Sequence, residues 1–353
     1  MFDWSQLTIP IIQAPMAGGV NTPELAAAVA NAGGVGSFGF AYSSPQSISK
    51  DLSRVSLLTS GPINVNFFVF SPVEMPSTSV QEGALAALRG LPLAGDIALR
   101  VPEPPFFPDL DQQLEPVWDR RPALLTFHFG VPASRIIQRA KDLGIAVGIT
   151  ATSLAEAQAI ERAGADFIVA QGIEAGGHRG IFDPLGPDER LSALALSSQL
   201  ARKCSLPFVA AGGLMTGEDV YAALAAGATA AQLGTAFLCC DESGASAAHK
   251  AFLLGEGKRG SLFTQGFSGR PARGIANEFI RLMADQPTLP FPLQNTLTAP
   301  IRQRALQNNN GEYQSLWAGA AYARARCLTA AGLMATLQAE LRAAQAGGGK
   351  TDY

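Results

Sequence analysis

None of the four cysteines (Cys204, Cys239, Cys240, Cys327) stands in a CxxC or other metal-site spacing. Cys239 and Cys240 are adjacent in apolar surroundings, so buried free thiols are expected rather than a disulfide framework or a metal centre. No run of 18 apolar residues occurs, so no membrane span is expected. The first residues, Met1-Phe2-Asp3-Trp4-Ser5-Gln6, lack the basic and apolar regions of a signal peptide, and the expected location is cytoplasmic. Basic residues are no more numerous than acidic ones, 26 against 29, and a net charge of −3 offers nucleic acid no attractive field. Only 16% of residues are charged while 47% are hydrophobic, which excludes a disordered chain and predicts a large core.

What is present is a rhythm. Apolar runs at Ile9–Gln13, Val35–Phe40, Pro62–Phe67, Leu124–His128, Ile145–Thr150, Phe167–Gln171, Pro207–Ala211 and Thr229–Leu233 alternate with helical stretches. Several helices carry clear start signals: Thr22-Pro23, Ser44-Pro45, Ser153 and Thr216, with Gly33, Gly164 and Gly227 as stops. Eight strands, most followed by a helix, predict an α/β fold, a (β/α)8 barrel of the TIM type. A doubly wound sheet would place GxGxxG after its first strand, where this chain has Ala14-Pro15-Met16-Ala17-Gly18-Gly19.

At 353 residues the chain exceeds a bare barrel of about 250. Nine of its 23 prolines fall between Ser71 and Pro122, where only Gln81–Arg89 looks helical. The expected division is a barrel of 1–70 and 123–243, and an insertion plus mostly helical C-terminal cap of 71–122 and 244–346. A proline-marked break is expected at Pro287–Pro300, long helices from about Ile301 to Ala344, and a disordered tail at 347–353.

Barrel active sites lie at the C-terminal strand ends. No lysine stands there, which disfavours Schiff-base chemistry. No carboxylate pair suits glycoside hydrolysis, and no Asp, Glu and His cluster has metal spacing. The amides Gln13, Asn66 and Gln171 occur instead. They suit the edge of a neutral heterocycle such as a flavin, although amides also cap strand ends. Gly212-Gly213 and Gln232-Leu233-Gly234-Thr235 follow the seventh and eighth strands, where backbone N–H groups commonly hold phosphate. Together they point to flavin mononucleotide. Within Gln171-Gly172-Ile173-Glu174-Ala175-Gly176-Gly177-His178-Arg179-Gly180, two glycines permit close approach and His178 is the acid–base candidate. His128 points to the same mouth. Arg179 is expected to neutralise Glu174 or hold the loop, and His249 to lie on the surface.

Four motifs then carry a resemblance: Gln-Ala-Pro-Met-Ala-Gly-Gly at 13–19, Phe-His-Phe-Gly at 127–130, the 171–180 stretch, and Ala-Ala-Gly-Gly-Leu at 210–214. In this order they resemble the class I nitronate monooxygenases, also called 2-nitropropane dioxygenases. The resemblance implies a TIM barrel binding FMN, which oxidises alkyl nitronates such as propionate 3-nitronate with O2 to a carbonyl compound and nitrite. It implies cofactor contacts from Ala14, Pro15, Met16, Ala17, Asn66, Gln171, Gly176, Gly177, Gly212, Gly213, Gln232, Leu233, Gly234 and Thr235. It makes His178 catalytic and puts His128 at the substrate. The family's cap tyrosine and lysine are missing from Phe291-Pro292-Leu293-Gln294-Asn295. An NAD(P)H-dependent flavin reductase is the alternative enzyme, and a cofactor-free barrel acting on a phosphorylated metabolite is the alternative of another class. The partners expected are a small nitronate and O2, with neither nucleic acid nor membrane, and the sequence is compatible with a homodimer.

Overall fold

The computed structural model describes residues 2–255 and 259–347. Most of the tail expected at 347–353 lies outside the described residues, and Gly347 itself ends a helix. Eleven strands are present among the described residues: β1 (Ile11–Gln13), β2 (Gly36–Gly39), β3 (Ile63–Phe68), β4 (Leu124–His128), β5 (Ala146–Ala151), β6 (Phe167–Gln171), β7 (Gly177–His178), β8 (Phe208–Ala211), β9 (Ala230–Leu233), β10 (Ser261–Thr264) and β11 (Ala272–Ile275). Eight of them form one parallel sheet in the order β1-β9-β8-β6-β5-β4-β3-β2. Its edges meet: Gln13 N donates to Val35 O and Val35 N to Ile11 O, both 2.9 Å, so the sheet closes into the expected barrel.

The barrel floor is sealed from within. The Phe167 ring lies over the neighbouring strand so closely that a Cβ at Gly148, its partner in register, would lie 2.2 Å from it. Trp4, on the N-terminal turn Trp4–Gln6, packs edge-on against Phe167 at 5.2 Å. The cavity among the described residues opens at the opposite end, where the strands finish.

Two helices correct the reading of the proline-rich stretches. Leu110–Arg120 is helical straight through Pro116, within a segment expected to hold only the helix at Gln81–Arg89. Interior proline costs about 3 kcal/mol. Burial of Leu114, Val117 and Trp118 in the barrel core offsets it, at roughly 1.5–3 kcal/mol per large side chain. Leu293–Gln307 likewise runs through Pro300, where a break was expected. The stretch expected to carry long helices from about Ile301 to Ala344 is also interrupted: residues 311–329 are largely irregular before Ala330–Gly347.

Ala330–Gly347 packs against the helices Gly217–Ala225 and Pro23–Asn31, and its Leu333, Met334, Leu337 and Leu341 enter the main core. It occupies the eighth place in the helical ring. A second core gathers Leu88, Leu99, Phe267, Phe279, Leu293 and Ile301 above the strand ends. We propose dividing the chain by these two cores, with Leu110–Arg120 and Ala330–Gly347 counted to the barrel and the second core taken as the cap. Where Gly217 meets the last helix, a Cβ would lie 2.3 Å from Leu341 N and 2.5 Å from Leu337 O. Backbone cannot step aside cheaply, so Gly217→Ala is expected to cost about 1–3 kcal/mol. A thermal melt unchanged from wild type would show that this helix is not tightly docked.

Candidate active site

A cavity of about 630 Å³ opens at the strand ends beneath the cap. Each expected residue except Leu233 lines it: Ala14 to Ala17 after β1, Asn66 on β3, His128 on β4, Gln171 on β6, Gly176, Gly177 and His178 beyond it, Gly212 and Gly213 after β8, and Gln232, Gly234 and Thr235 at β9. The Leu233 side chain turns into the barrel core instead, because alternate strand residues face opposite sides. Its carbonyl accepts from Ala14 N at 2.8 Å. Gln13 also stays out of the cavity: it is fully buried in the barrel wall, with Oε1 accepting from Ser37 N at 3.1 Å.

The stretch 171–180 is a clamped structure rather than a free loop. β7 pairs antiparallel with β11, His178 opposite Ala272, and β11 pairs with β10 in a three-stranded sheet. Gln171 uses both ends of its amide on this stretch, donating to His178 O at 3.0 Å and accepting from Gly180 N at 2.7 Å. His128 Nε2 donates to the same His178 carbonyl at 3.3 Å. Arg179 does not meet Glu174. It forms a two-pronged pair with Asp188, both contacts 2.8 Å, and donates to Gln171 O at 2.7 Å. Of the two alternatives for Arg179, loop support is the one realised. Gly176 is required by packing, since a Cβ would lie 2.5 Å from the Ala318 carbonyl carbon.

His178 sits in an aromatic cage of Phe68 (5.9 Å), Phe129 (5.7 Å), Phe291 (5.5 Å) and Trp317 (5.7 Å). Phe291 thus belongs to the cage around His178, and Asn295 lines the cavity. Among the described residues, Arg302 is the only charged side chain lining it. Its guanidinium is held by Thr298 Oγ1 at 3.3 Å and Asn295 O at 2.6 Å. Arg302 carried no local signal, because only the course of the helix Leu293–Gln307 brings it here. His249, expected on the surface, is buried and lines the cavity, on a helix capped by Ser246. The cysteine expectation holds for Cys239 and Cys240, which are buried, whereas Cys327 is exposed.

Enclosure keeps all three histidines neutral. Burial, followed by the repulsion His128 would exert if also protonated and the positive fields of Arg270 and Arg302, pushes His178 down to about 3. Burial and then Arg270 do the same to His128, also to about 3, and burial lowers His249 to about 4. The unfolded chain takes up these protons near the ordinary 6.5, while the folded chain refuses them. The stabilisation is therefore complete above about pH 6.5 and is lost as pH falls toward 3–4. Each histidine contributes a slope of about 1.4 kcal/mol per pH unit within that window. The melting temperature should drop steadily between pH 6.5 and 5, above the carboxylate range. A flat profile there would mean that the histidines are not held neutral.

The cavity also presents a set of unpaired donors. The backbone N–H groups of Gly212, Gly213, Gly234 and Thr235 find no acceptor among the described residues. Gly212 and Gly213 hold φ of +121° and +72°, which suit glycine and few other residues.

The comparisons with known proteins show the family. The family model described as nitronate monooxygenase matches residues 2–340. A nitronate monooxygenase of Paraburkholderia phytofirmans is 42% identical over 346 residues, covering 94% of this chain and 92% of that protein. One of Pseudomonas aeruginosa is 41% identical over 344 residues, covering 94% and 96%. The crystal structure of a nitroalkane oxidase from Streptomyces ansochromogenes superposes with a TM-score of 0.91 at 38% identity, covering 98% of this chain and 99% of that one. Matched along nearly its whole length in sequence and fold, the chain belongs to the nitronate monooxygenase family.

Proposed function

We propose that this chain is an FMN-dependent nitronate monooxygenase, oxidising alkyl nitronates such as propionate 3-nitronate with O2 to a carbonyl compound and nitrite. One observation carries the reading: four unpaired backbone N–H groups and an enclosed neutral histidine open into the same cavity. The residues fit the cofactor. The donors at 212, 213, 234 and 235 suit a phosphate, and the cavity around Met16, Asn66 and Gly177 suits the ring system. Asn66 Nδ2 donates to Thr126 Oγ1 at 3.0 Å, leaving its carbonyl oxygen for a ring N–H. Gln171, spent on the loop, keeps one amide hydrogen for the ligand.

Bound there, FMN supplies the electron acceptor that the oxidation needs. The protein's share is binding, orientation and proton handling. Arg302 offers the anionic nitronate a guanidinium in a cavity lined by no carboxylate among the described residues, where charge attraction is little screened. The aromatic cage excludes water from the reacting carbon. For a neutral nitroalkane, His178 takes the α-proton and leaves the nitronate beside Arg302; a nitronate supplied as such needs no base. His128 borders the substrate and steadies the His178 carbonyl.

The test is the colour of the protein and what removes it. Purified protein should be yellow and should lose its colour anaerobically with propionate 3-nitronate. Protein that stays colourless with added FMN would end the flavin reading, in favour of a cofactor-free barrel. Bleaching by NADPH but not by nitronate would favour the reductase.

A further inference from the structure

We infer that Ser268 is a positioning residue that holds His178 in one tautomer, with the proton on Nε2 and the lone pair on Nδ1 turned to the substrate. The inference rests on the base role given to His178 above. His178 Nε2 lies 2.9 Å from Ser268 Oγ. A hydroxyl has one proton to give, and two acceptors compete for it: the imidazole and the Arg270 carbonyl, 3.1 Å away. Hydrogen-bond completeness decides between them. The Arg270 carbonyl takes no other hydrogen bond among the described residues, and Arg270 is buried. Turning the hydroxyl to the histidine would orphan that carbonyl, at a cost of about 1–3 kcal/mol. With the hydroxyl donating to Arg270 O, Ser268 Oγ accepts from Arg270 N at 3.3 Å and from His178 Nε2–H. Every group is then satisfied, and Nδ1 is the ring nitrogen free to accept a proton.

The turn that carries Ser268 is rigid. Ser268 N and Gly269 N both donate to Gln265 O, at 3.2 and 2.7 Å. The cap helix grips its backbone: Gln294 Nε2 donates to Gly266 O at 2.9 Å and Thr298 Oγ1 to Phe267 O at 2.6 Å. At Gly269, φ is +82° and a Cβ would lie 2.2 Å from Leu289 O, so the turn has no room to shift. Ser268 itself is almost wholly buried. The cap thus sets the protonation pattern of a histidine that the barrel delivers.

The test reads the tautomer directly. In the flavin-loaded protein with 15N-labelled histidine, His178 signals are assigned by their loss in His178→Asn. Wild type should show a protonated Nε2 and an unprotonated Nδ1 in the imidazole nitrogen shifts. In Ser268→Ala a mixture of tautomers should appear, and the ratio of kcat on neutral nitroalkane to kcat on preformed nitronate should fall about 10-fold, part of what general-base catalysis supplies. Ser268→Thr, which keeps the hydroxyl, should restore both. A protonated Nδ1 in wild type, or a Ser268→Ala protein with unchanged shifts and ratio, would overturn the inference. Wild-type protein inactive on every nitronate would instead sink the proposed function, while the nitrogen shifts still judge the tautomer.

Discussion

Replacing His178 by asparagine should lower turnover of a neutral nitroalkane by about 10²–10⁴-fold, the range that general-base catalysis supplies. Flavin should stay bound, because the cradle at 212–213 and 234–235 lies on other strands. Turnover of a preformed nitronate should suffer far less, since its carbon has no proton left to lose. Burial holds the imidazole neutral down to about pH 3, so the wild-type rate on neutral nitroalkane should not fall between pH 7 and 5 on account of this group. Stopped-flow reduction with both substrates, at several pH values, reads all three points. Equal loss on both substrates would move His178 from proton transfer to substrate binding.

Gly213→Asp should yield a folded protein that purifies without flavin. Gly213 sits at φ +72°, where a residue with a side chain pays about 1–3 kcal/mol in strain. Its new Cβ would lie 3.0 Å from Glu174 Cβ, and its carboxylate would face a dianionic phosphate at the unpaired N–H groups. Strain and like charge together should weaken FMN at least about 100-fold, which corresponds to about 2.8 kcal/mol. Gly213→Ala carries the strain without the charge and should lose less. Fluorescence titration of the apoproteins separates the two, with circular dichroism to verify the fold. Native affinity in Gly213→Asp would put the phosphate somewhere else.

Strand positions were legible because a buried parallel strand is an uninterrupted apolar run with sharp ends. Phe167–Gln171 matches residue for residue, bounded by Asp166 and Gly172. The helix caps were legible for a similar local reason: Thr216 and Asp219 form a complete capping box. The helices through Pro116 and Pro300 were not, because their stability comes from what they pack against rather than from their own residues. The β10–β11 hairpin escaped for the same reason. Its strands are four residues each, and what fixes them is pairing with β7, some 90 residues earlier in the chain.

The site divides along the same line. Glycines and histidine at strand ends announce themselves, so the residues expected there, Leu233 apart, line the cavity, whereas His249 was misplaced to the surface. Gln13 misled because an amide looks alike in sequence whether it faces a ligand or a neighbouring strand's N–H. Ser268 and Arg302 had no local signature, since each matters only through a contact made across the fold.

The barrel's eighth outer helix, Ala330–Gly347, is the last element among the described residues, and the larger part of the cap is threaded between it and β9. Synthesis therefore delivers the ring incomplete. All eight barrel strands have emerged before the residues that cover the gap between Pro23–Asn31 and Gly217–Ala225, and most of the cap must emerge in between. A nascent chain halted before Ala330 would expose the apolar seam that Leu333, Met334, Leu337 and Leu341 later fill. Such seams are where partly made chains aggregate or recruit chaperones. The enzyme thus becomes self-protecting only when Ala330–Gly347 is free to dock.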